Sequence, residues 1–286
     1  MRLGDIPETS LPELIERHDV LLLDAYGVLM ETAGALPGAA AALAAIRDSG
    51  AGFAVLTNDA SRLPETTSER FGEMGLDVPA DRIVTSGSIL ARYFEEQRFV
   101  GARCAVLGPE DSFEYVARAG GQPVPLSWEP DVIALCDEDG YDMLATLDEL
   151  ISVLFRRIDA GDPPALVLPN PDLIYPKGKG EYGLTAGALA ELVETALRQR
   201  YPGRQDLSFA RLGKPHRPIF DEVLDGVGDG RAVMIGDQLG TDIRGARDAG
   251  LDSVLVGTGL TPWRDDLELG DVVPTHRMAA FRPTGS

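Results

Sequence analysis

Short apolar runs alternate with longer segments of helical pattern along most of the chain. Residues 20–23 (VLLL) and 53–56 (FAVL) contain no polar position, which is typical of strands buried on both faces of a parallel sheet. Between these runs, residues 37–49 are rich in alanine, begin with Pro37 and are followed by Gly50, which is the usual punctuation of a helix. The order strand, helix, strand predicts an α/β fold with a Rossmann-like parallel sheet.

The same alternation continues towards the C-terminus. Further strands are predicted at residues 83–85, 104–107, 131–135, 165–168, 232–235, 253–256 and 271–273. Further helices are predicted at residues 64–74, 89–97, 112–119, 144–159, 185–199, 218–224 and 241–249. Residues 200–204 (RYPGR) interrupt the pattern and are predicted to be a linker, and residues 274–286 are predicted to be a poorly ordered tail.

The composition is that of a folded, acidic protein. Hydrophobic residues make up 44% and charged residues 25%, which excludes a disordered chain, and a length of 286 residues suggests about two domains. The formal net charge of −20 argues against a nucleic-acid-binding surface, which needs clustered positive charge. No apolar stretch reaches the length of a signal peptide or a membrane span, so we expect a cytoplasmic protein without a membrane partner. Cys104 and Cys136 lie in apolar runs and are expected to be buried thiols.

Three of the predicted strands end in polar residues. Asp24 follows the first run, Thr57 and Asn58 follow the second, and Asp237 follows the run at residues 232–235. Ligands bind at the carboxyl ends of the strands in open α/β sheets, so these side chains converge if their strands are neighbours. Two adjacent carboxylates repel each other, which raises the pKa of one of them or calls for a cation. Mg²⁺ takes hard oxygen ligands and keeps several waters, so two or three protein oxygens suffice.

Two further residues could complete such a site. Asp242 begins a predicted helix, either as an N-terminal acid favoured by the helix dipole or as a carboxylate that binds or orients the metal. Lys214 could supply positive charge for an anion, although a lone lysine is usually a solvated surface residue. Thr57 and Asn58 could donate hydrogen bonds to the same anion.

Four motifs in this order carry a resemblance to a known family. They are residues 24–29 (DAYGVL), 57–58 (TN), 213–215 (GKP) and 236–243 (GDQLGTDI). Together they resemble the haloacid dehalogenase-like superfamily, whose members are mostly phosphatases that use an aspartate nucleophile and Mg²⁺. Any one of these motifs alone would be weak evidence for the family.

The spacing of the motifs indicates where a cap domain is inserted. About thirty residues separate the first two motifs and about 155 separate the second from the third. We therefore expect an α/β cap at residues 99–204, inserted into a catalytic core formed by residues 1–98 and 205–286. This arrangement resembles class IIA of the superfamily, which includes the nucleotide, p-nitrophenyl-phosphate and pyridoxal-phosphate phosphatases. Members of this class often form dimers through contacts between their cap domains. The resemblance therefore also suggests a homodimer.

The resemblance implies a role for each motif residue. Asp24 would attack the phosphorus of a small phosphorylated metabolite and form an aspartyl-phosphate. The carboxylates of Asp24 and Asp237 and the backbone carbonyl of Tyr26 would bind Mg²⁺, and Asp242 would support the metal waters. The residues that would hold the phosphoryl oxygens are Thr57, Asn58 and Lys214. The lysine would also limit repulsion between the nucleophile and the dianion.

Tyr26 departs from the pattern of most phosphatases in this superfamily. They have an aspartate at this catalytic position, which protonates the leaving oxygen and later activates water. Tyrosine, with an ordinary pKa near 10, is a poor general base at pH 7, and such acid–base help is worth about 10² to 10⁴ in rate. We therefore predict weak turnover of esters with poor leaving groups and measurable turnover of an activated ester. Asp59 could take over the missing role or could be a turn residue.

Two alternative functions follow from the same departure. Tyrosine at this position also resembles the 2-haloacid dehalogenases, but Asp237 and Asp242 preserve a metal site that those enzymes lack. No arginine falls between Asp24 and Arg47 to hold a halide. A catalytically impaired protein that binds Mg²⁺ and a phosphorylated ligand is the second alternative.

The cap offers a few substrate-binding candidates. Residues 172–182 are rich in glycine and carry two lysines and two tyrosines, so they form either a solvated loop or a substrate loop. In the second case Lys177 or Lys179 would bind a second anionic group and a tyrosine would stack on the substrate. The cap segment at residues 170–172 (NPD) also belongs to the resemblance to class IIA. The cap residues assigned to the substrate are therefore Asn170, Asp172, Tyr175 and Lys177.

Overall fold

The structure is a computed structural model, and it describes residues 1–178, 180–228 and 230–283. Its strands are, in chain order, β1 (Val20–Asp24), β2 (Met30–Glu31), β3 (Gly34–Ala35), β4 (Gly52–Thr57), β5 (Ile83–Thr85), β6 (Arg103–Leu107), β7 (Gln122–Pro123), β8 (Val132–Leu135), β9 (Ala165–Leu168), β10 (Ile174–Gly178), β11 (Glu181–Leu184), β12 (Ala210–Arg211), β13 (Ala232–Gly236), β14 (Asp252–Val256) and β15 (His276–Met278). Its α-helices are α1 (Leu11–Arg17), α2 (Ala39–Ser49), α3 (Pro64–Glu73), α4 (Ile89–Gln97), α5 (Glu110–Arg118), α6 (Met143–Asp159), α7 (Ala186–Arg200), α8 (Arg217–Val227) and α9 (Arg244–Ala249). A π-helical turn at Leu239–Ile243 leads into α9.

The larger sheet has six parallel strands in the order β15-β14-β13-β1-β4-β5. In its centre β1 lies between β13 and β4, with Leu22 aligned with Met234 on one side and with Ala54 on the other. Successive side chains of a strand point to opposite faces, so Leu21 and Leu23 enter one apolar core while Leu22 enters another. The predicted Rossmann-like α/β fold is confirmed.

The second sheet has five parallel strands in the order β12-β9-β8-β6-β7. One of its faces packs on α6 and α7 through an apolar core that includes Ile133 of the sheet and Leu150 of α6. Its other face places Val132 in the same core as Leu22 of the larger sheet, together with Phe94 of α4. A shared layer of apolar side chains therefore holds the two sheets together, which fixes the second sheet relative to the strand ends of the first.

The second sheet draws on residues beyond the predicted insertion. Its edge strand β12 follows residue 204 and pairs with β9, with Ala210 aligned with Val167. The predicted linker at residues 200–204 begins at the last residue of α7 and leads towards this strand. The domain limits at residues 98/99 and 204/205 stay predictions.

Two predictions for the C-terminal region are wrong. Residues 271–273 form a loop instead of a strand, and the edge of the larger sheet is β15. The tail expected to be poorly ordered supplies this strand and also Phe281, which is 2% exposed in the core. Residues 284–286 of that tail lie outside the described residues.

The segment predicted to be a loop at residues 172–182 overlaps an antiparallel hairpin, in which β10 pairs with β11 and Ile174 is aligned with Leu184. Among the described residues, no helix is long and apolar enough to cross a membrane.

Candidate active site

The polar strand ends of the larger sheet meet at one place. Asp24 is the last residue of β1, Thr57 is the last residue of its neighbour β4, and Asp237 directly follows β13 on the other side. Because parallel strands in a sheet end at the same edge, their order alone brings these side chains together. Asp24, Thr57 and Asn58 line a cleft of about 440 Å³, and Asp137 and Asn170, which lie in the loops that follow β8 and β9, line it as well.

Lys214 joins this group from the segment that follows β12. Its Nζ lies 2.7 Å from Oδ1 of Asp24, 2.8 Å from Oδ1 of Asp242 and 3.0 Å from the carbonyl oxygen of Leu56. The lysine is only 2% exposed, so it is not the solvated surface residue that a lone lysine usually is. Its three donors are all directed to acceptors of the site.

Three buried carboxylates surround this ammonium group. Asp24, Asp237 and Asp242 are 6%, 2% and 0% exposed, and each offers an oxygen within 4.8 Å of an oxygen of the other two. The Oδ2 atom of Asp237 accepts a hydrogen bond of 2.6 Å from the backbone nitrogen of Leu260. Its Oδ1 atom is buried without a hydrogen-bond partner among the described residues. An orphaned buried carboxylate oxygen is costly unless a ligand satisfies it.

Burial perturbs the ionisation of the whole group. Desolvation, together with the charges of Asp242 and Asp237, raises the pKa of Asp24 well above its usual value, although Lys214 opposes this. Burial and the charge of Asp242 raise the pKa of Asp237 to about 7. Burial alone would lower the pKa of Lys214, but Asp24 and Asp242 raise it above its usual range. The lysine is therefore charged, and its single positive charge does not balance three ionised carboxylates.

These residues fit a divalent cation. With all three carboxylates ionised and one ammonium group among their contacts in the described residues, the cluster has a formal charge of −2. The oxygen donors are the hard ligands that Mg²⁺ prefers. Gly27, with φ +77°, keeps space open beside Asp237, since a Cβ atom there would lie 2.6 Å from the aspartate Cγ. Gly259 does the same from the other side.

The π-helical turn positions Asp242. Its Oδ2 accepts hydrogen bonds of 3.1 Å from the backbone nitrogens of Asp237 and Gln238, while its Oδ1 faces Lys214. Gly236 is needed behind it, because a Cβ atom there would overlap the carboxylate. The predicted helix at residues 241–249 is therefore a π turn followed by α9, and π turns are frequent at functional sites.

Asn58 and Thr57 make different contacts. The Asn58 side chain accepts from the backbone nitrogen of Lys214 at 2.7 Å and donates to the Lys214 carbonyl at 2.9 Å and to Asp172 at 2.8 Å. Both amide protons of Asn58 are thus engaged, one by Lys214 and the other by the cap residue Asp172. The contact between Asn58 and a phosphoryl oxygen stays a prediction. The Thr57 hydroxyl accepts from the backbone nitrogen of Asp59 at 3.3 Å, and its own proton has no acceptor in the described part of the chain.

Tyr26 follows β1 and its side chain contacts α3. Its ring is half-buried, and its hydroxyl accepts a hydrogen bond of 2.9 Å from Arg70 of α3. The Arg70 guanidinium carbon lies 5.7 Å from the centroid of the ring. Tyr26 lines both the main cleft and a neighbouring cleft of about 730 Å³.

Asp59 is held in a turn. Its Oδ1 accepts from the backbone nitrogen and hydroxyl of Ser61, at 2.7 and 2.6 Å, and its Oδ2 lies 3.1 Å from Arg62. These bonds fix the carboxylate locally, which supports the interpretation of Asp59 as a turn residue.

The cap residues assigned from the sequence separate into two groups. Asn170, Asp172 and Tyr175 line the main cleft, whereas Lys177 lines the neighbouring one. The Asn170 amide donates to the Thr185 hydroxyl at 3.2 Å, and Lys177 lies over the ring of Tyr175 with its Nζ 5.6 Å from the centroid. Burial raises the pKa of Asp172 to about 6. Lys179 lies outside the described residues.

Three acidic residues that were not predicted from the sequence also line the cleft. Asp137, Glu138 and Asp139 follow β8 of the second sheet and line the main cleft together with Arg62. Burial and the charge of Glu138 raise the pKa of Asp137 to about 7. The sequence contains a signal for them, because acidic residues directly follow the strand predicted at residues 131–135. Asp24 is placed in the same way at the end of the first strand.

Comparison with known proteins identifies the family. Residues 21–122 match the model for haloacid dehalogenase-like hydrolases, and residues 211–280 match a second model described as HAD-hydrolase-like. The chain is similar to the glycerol-3-phosphate phosphatase of Homo sapiens, with 32% identity over 91% of this chain and 83% of that protein.

Two solved structures share the fold. One is a possible sugar phosphatase of the HAD superfamily from Cytophaga hutchinsonii, with a TM-score of 0.82, 29% identity and coverage of 96% of this chain and 98% of that one. The other is glycerol phosphate phosphatase from Mycobacterium tuberculosis in complex with magnesium, with a TM-score of 0.71, 27% identity and coverage of 89% and 71%. The predicted enzyme class, a hydrolase of the phosphatase type, is confirmed. The chain belongs to the haloacid dehalogenase-like hydrolases, in their class IIA group.

Proposed function

We propose that this chain hydrolyses phosphate monoesters of small metabolites in a Mg²⁺-dependent reaction in which Asp24 is the nucleophile. One observation carries the proposal: the buried Asp24 carboxylate lies 2.7 Å from the Lys214 ammonium group, beside the orphaned Oδ1 of Asp237. A nucleophile for phosphorus, positive charge for phosphoryl oxygens and hard oxygen ligands for a divalent cation thus occur together.

The residues that would hold Mg²⁺ are the carboxylates of Asp24 and Asp237 and the backbone carbonyl of Tyr26. The bound ion supplies positive charge that neutralises the phosphoryl group and the carboxylate cluster. Asp242, which is engaged by Lys214 and two backbone nitrogens, keeps the lysine and the loop after β13 in place. The magnesium complex of the similar mycobacterial phosphatase supports Mg²⁺ as the cation of this site.

The chain's own residues account for the chemical steps. An oxygen of Asp24 attacks phosphorus, the bond between phosphorus and the ester oxygen breaks, and an aspartyl-phosphate forms. Lys214 balances the charge of the phosphoryl oxygens, and the free hydroxyl proton of Thr57 donates to one of them. Water then attacks phosphorus, inorganic phosphate leaves and the Asp24 carboxylate is restored. Asn58 contributes by holding the backbone of Lys214.

The rate of hydrolysis depends on the leaving group of the ester. The position that supplies a carboxylic acid in most relatives is Tyr26, whose neutral hydroxyl is a weaker acid than a carboxyl group. Esters with poor leaving groups, such as alkyl phosphates, are therefore hydrolysed more slowly than an activated aryl ester that needs no proton. A carboxyl group introduced at this position would restore part of the acid–base contribution.

The size of the site limits the substrate. A cleft of about 440 Å³ accommodates a small phosphorylated metabolite, and similar proteins are named for glycerol phosphate and sugar phosphates. Asp172 and Tyr175 line this cleft and would contact the leaving group, and Lys177 lines the neighbouring cleft, where it would bind a second anionic group. The homodimer and the cytoplasmic location stay predictions.

The proposal is tested by hydrolysis of 4-nitrophenyl phosphate with and without Mg²⁺. Wild type should be active only with Mg²⁺, Asp24→Asn should be inactive, and Tyr26→Asp should be more active than wild type. Asp48→Asn, an exposed aspartate of α2, is the matched control and should behave as wild type. Activity that survives in Asp24→Asn would contradict the assignment of the nucleophile.

Two further assays separate the alternative functions. Halide release from a 2-haloacid without metal, in the absence of any phosphatase activity, would favour the dehalogenase. Binding of Mg²⁺ and inorganic phosphate by an inactive wild type would favour the impaired binding protein.

A further inference from the structure

The cap residue Asp172 is linked to the nucleophile by a short series of contacts. Its Oδ1 atom accepts a hydrogen bond of 2.8 Å from the side-chain amide of Asn58. The same Asn58 side chain accepts from the backbone nitrogen of Lys214 at 2.7 Å and donates to its carbonyl oxygen at 2.9 Å. The Lys214 ammonium group in turn lies 2.7 Å from Asp24. Only two residues therefore separate the Asp172 carboxylate from the nucleophile, and Asp172 lines the same cleft.

Backbone contacts hold Asp172 in place. Its backbone nitrogen donates to Oδ1 of Asn170 at 3.0 Å, and its carbonyl oxygen accepts from the backbone nitrogen of Gly187 at 3.0 Å. Gly187 lies in the first turn of α7, and a Cβ atom there would lie 2.4 Å from the Asp172 carbonyl oxygen. The residue is thus fixed on both sides before a ligand arrives, which is what a group that selects a substrate requires.

One oxygen of the Asp172 carboxylate is left for a ligand. Oδ1 is engaged by Asn58, whereas Oδ2 has no hydrogen-bond partner among residues 1–178, 180–228 and 230–283. Burial raises the pKa of Asp172 to about 6, although the hydrogen bond from Asn58 and the charge of Lys214 oppose this, so the group is ionised at pH 8. An ionised carboxylate accepts hydrogen bonds and donates none. A group bound beside it must therefore supply the donor.

Further acidic residues line the main cleft. Asp137, Glu138 and Asp139 all face it, and Oε2 of Glu138 is buried without a hydrogen-bond partner in the described part of the chain. The guanidinium group of Arg62 also lines the cleft, but it lies 3.1 Å from Asp59, which compensates its charge. A negatively charged leaving group would therefore meet uncompensated carboxylates, and such contacts between like charges are costly.

We propose that Asp172 determines the substrate class of this enzyme by accepting a hydrogen bond from a hydroxyl group of the leaving group and by repelling a carboxylate there. The inference rests on the proposed phosphatase function. The favoured substrates are uncharged polyol or sugar monophosphates with a hydroxyl group on the carbon next to the ester. Phosphorylated hydroxy acids of the same size are disfavoured. Because Asp172 takes no part in breaking the ester bond, it acts on the affinity for the substrate.

The test measures the inhibition constants Ki of three alkyl phosphates that compete with 4-nitrophenyl phosphate at pH 8 in the presence of Mg²⁺. Glycerol 3-phosphate carries a hydroxyl group next to the ester carbon, propyl phosphate has the same chain without hydroxyl groups, and 3-phosphoglycerate adds a carboxylate. Wild type should bind glycerol 3-phosphate about tenfold more tightly than propyl phosphate, as expected for a hydrogen bond to a charged acceptor. It should bind 3-phosphoglycerate at least about tenfold more weakly than glycerol 3-phosphate.

Two variants of Asp172 and a control make the test specific. All Ki values are divided by that of propyl phosphate, which cancels any effect on the phosphate group that the three compounds share. Asp172→Ala should reduce the advantage of glycerol 3-phosphate to within about twofold, and Asp172→Asn should reduce it to about threefold, because a neutral amide forms the weaker hydrogen bond. Both variants should reduce the penalty on 3-phosphoglycerate by at least about tenfold. Asp48→Asn, in which an exposed aspartate of α2 is changed, should leave all ratios unchanged.

The results separate failure of this inference from failure of the proposed function. A 4-nitrophenyl phosphatase activity that is absent in wild type, or that survives in Asp24→Asn, would remove the proposed function and this inference with it. If Asp24 is required but the Ki ratios of the Asp172 variants equal those of wild type, the inference alone is wrong. Equal changes for all three compounds would make Asp172 a purely structural residue and would also overturn it. Urea unfolding shows whether each variant is folded, and Asp172→Asn decides if Asp172→Ala is not.

Discussion

Replacing Asp237 with asparagine should stabilise the metal-free protein while it removes the magnesium response. Asp237 is 2% exposed, and burial together with the charge of Asp242 raises its pKa to about 7 from the usual 3.8. Asparagine keeps an oxygen that can accept from the backbone nitrogen of Leu260, as Oδ2 of the aspartate does at 2.6 Å. The change therefore removes the charge and retains the hydrogen bond.

The magnitude follows from the pKa difference. Below pH 3.8 the carboxyl group is protonated in the folded and the unfolded chain, so it contributes no pH dependence. Between pH 3.8 and about 7 the folded state binds more protons than the unfolded state, so the free energy of unfolding decreases as pH rises. Three pKa units at 1.36 kcal/mol each set an upper limit of about 4 kcal/mol above pH 7. We expect Asp237→Asn to recover at least about 1 kcal/mol of this at pH 8, since relaxation around the site lowers the cost.

The assay is urea unfolding in the presence of a chelator at pH 5.5 and pH 8. The difference in the free energy of unfolding between Asp237→Asn and wild type should be larger at pH 8 than at pH 5.5. Addition of millimolar Mg²⁺ should stabilise wild type, because the ion binds only the folded state, and should stabilise Asp237→Asn much less. Asp48→Asn on the surface should show neither effect. An Asp237→Asn protein that is less stable than wild type at pH 8 without metal would refute the reasoning.

Three further changes test other parts of the site and the cap. Burial and the charge of Glu138 raise the pKa of Asp137 to about 7, and only the charged form of this residue repels a phosphate dianion. Asp137→Asn should therefore lower KM more at pH 8 than at pH 6. An equal change in KM at both pH values would count against this. The buried guanidinium of Arg157 donates to three backbone carbonyls and one carboxylate of the cap. Arg157→Met should therefore reduce the free energy of unfolding, measured in urea, by about 2 to 4 kcal/mol. An unchanged unfolding curve would disprove this. Lys177→Ala should raise KM more than it lowers kcat, and an unaffected KM would exclude a role of Lys177 in binding.

The central strands could be predicted from the sequence because they are buried on both faces. β1, β4 and β13 are apolar at nearly every position, and this is the pattern that periodicity detects most easily. The structure meets the condition on which the prediction depended, because β1 lies between β13 and β4, and this places Asp24 beside Asp237. The carboxylate cluster was accessible to sequence reasoning for this reason.

Elements stabilised by local polar contacts were missed. α1 is a seven-residue helix that follows Ser10, which forms a capping box with Glu13, and this signal is present in the sequence. The hairpin of β10 and β11 has glycine and proline in its strands and exposed side chains, so its pattern is that of a loop. β15 contains two polar residues, and its position follows from pairing with β14.

The contacts of Tyr26 could not be predicted at all. The sequence showed that a carboxylic acid is absent at this position, but Arg70 is 44 residues away along the chain. Only the packing of α3 beside the strand ends brings the guanidinium to the phenol. The same holds for Asn58, whose two amide protons are engaged by Lys214 and Asp172 through contacts between distant segments.

The central claim is that Asp24 becomes phosphorylated during turnover. The most direct measurement is mass spectrometry of the peptide that contains Asp24, after rapid acid quench of the enzyme with 4-nitrophenyl phosphate and Mg²⁺. Our account predicts a peptide phosphorylated on Asp24, from which hydroxylamine releases phosphate and leaves a hydroxamate on the aspartate, and no such adduct in Asp24→Asn. Steady hydrolysis without this adduct in wild type, or an adduct on another residue, would contradict the account.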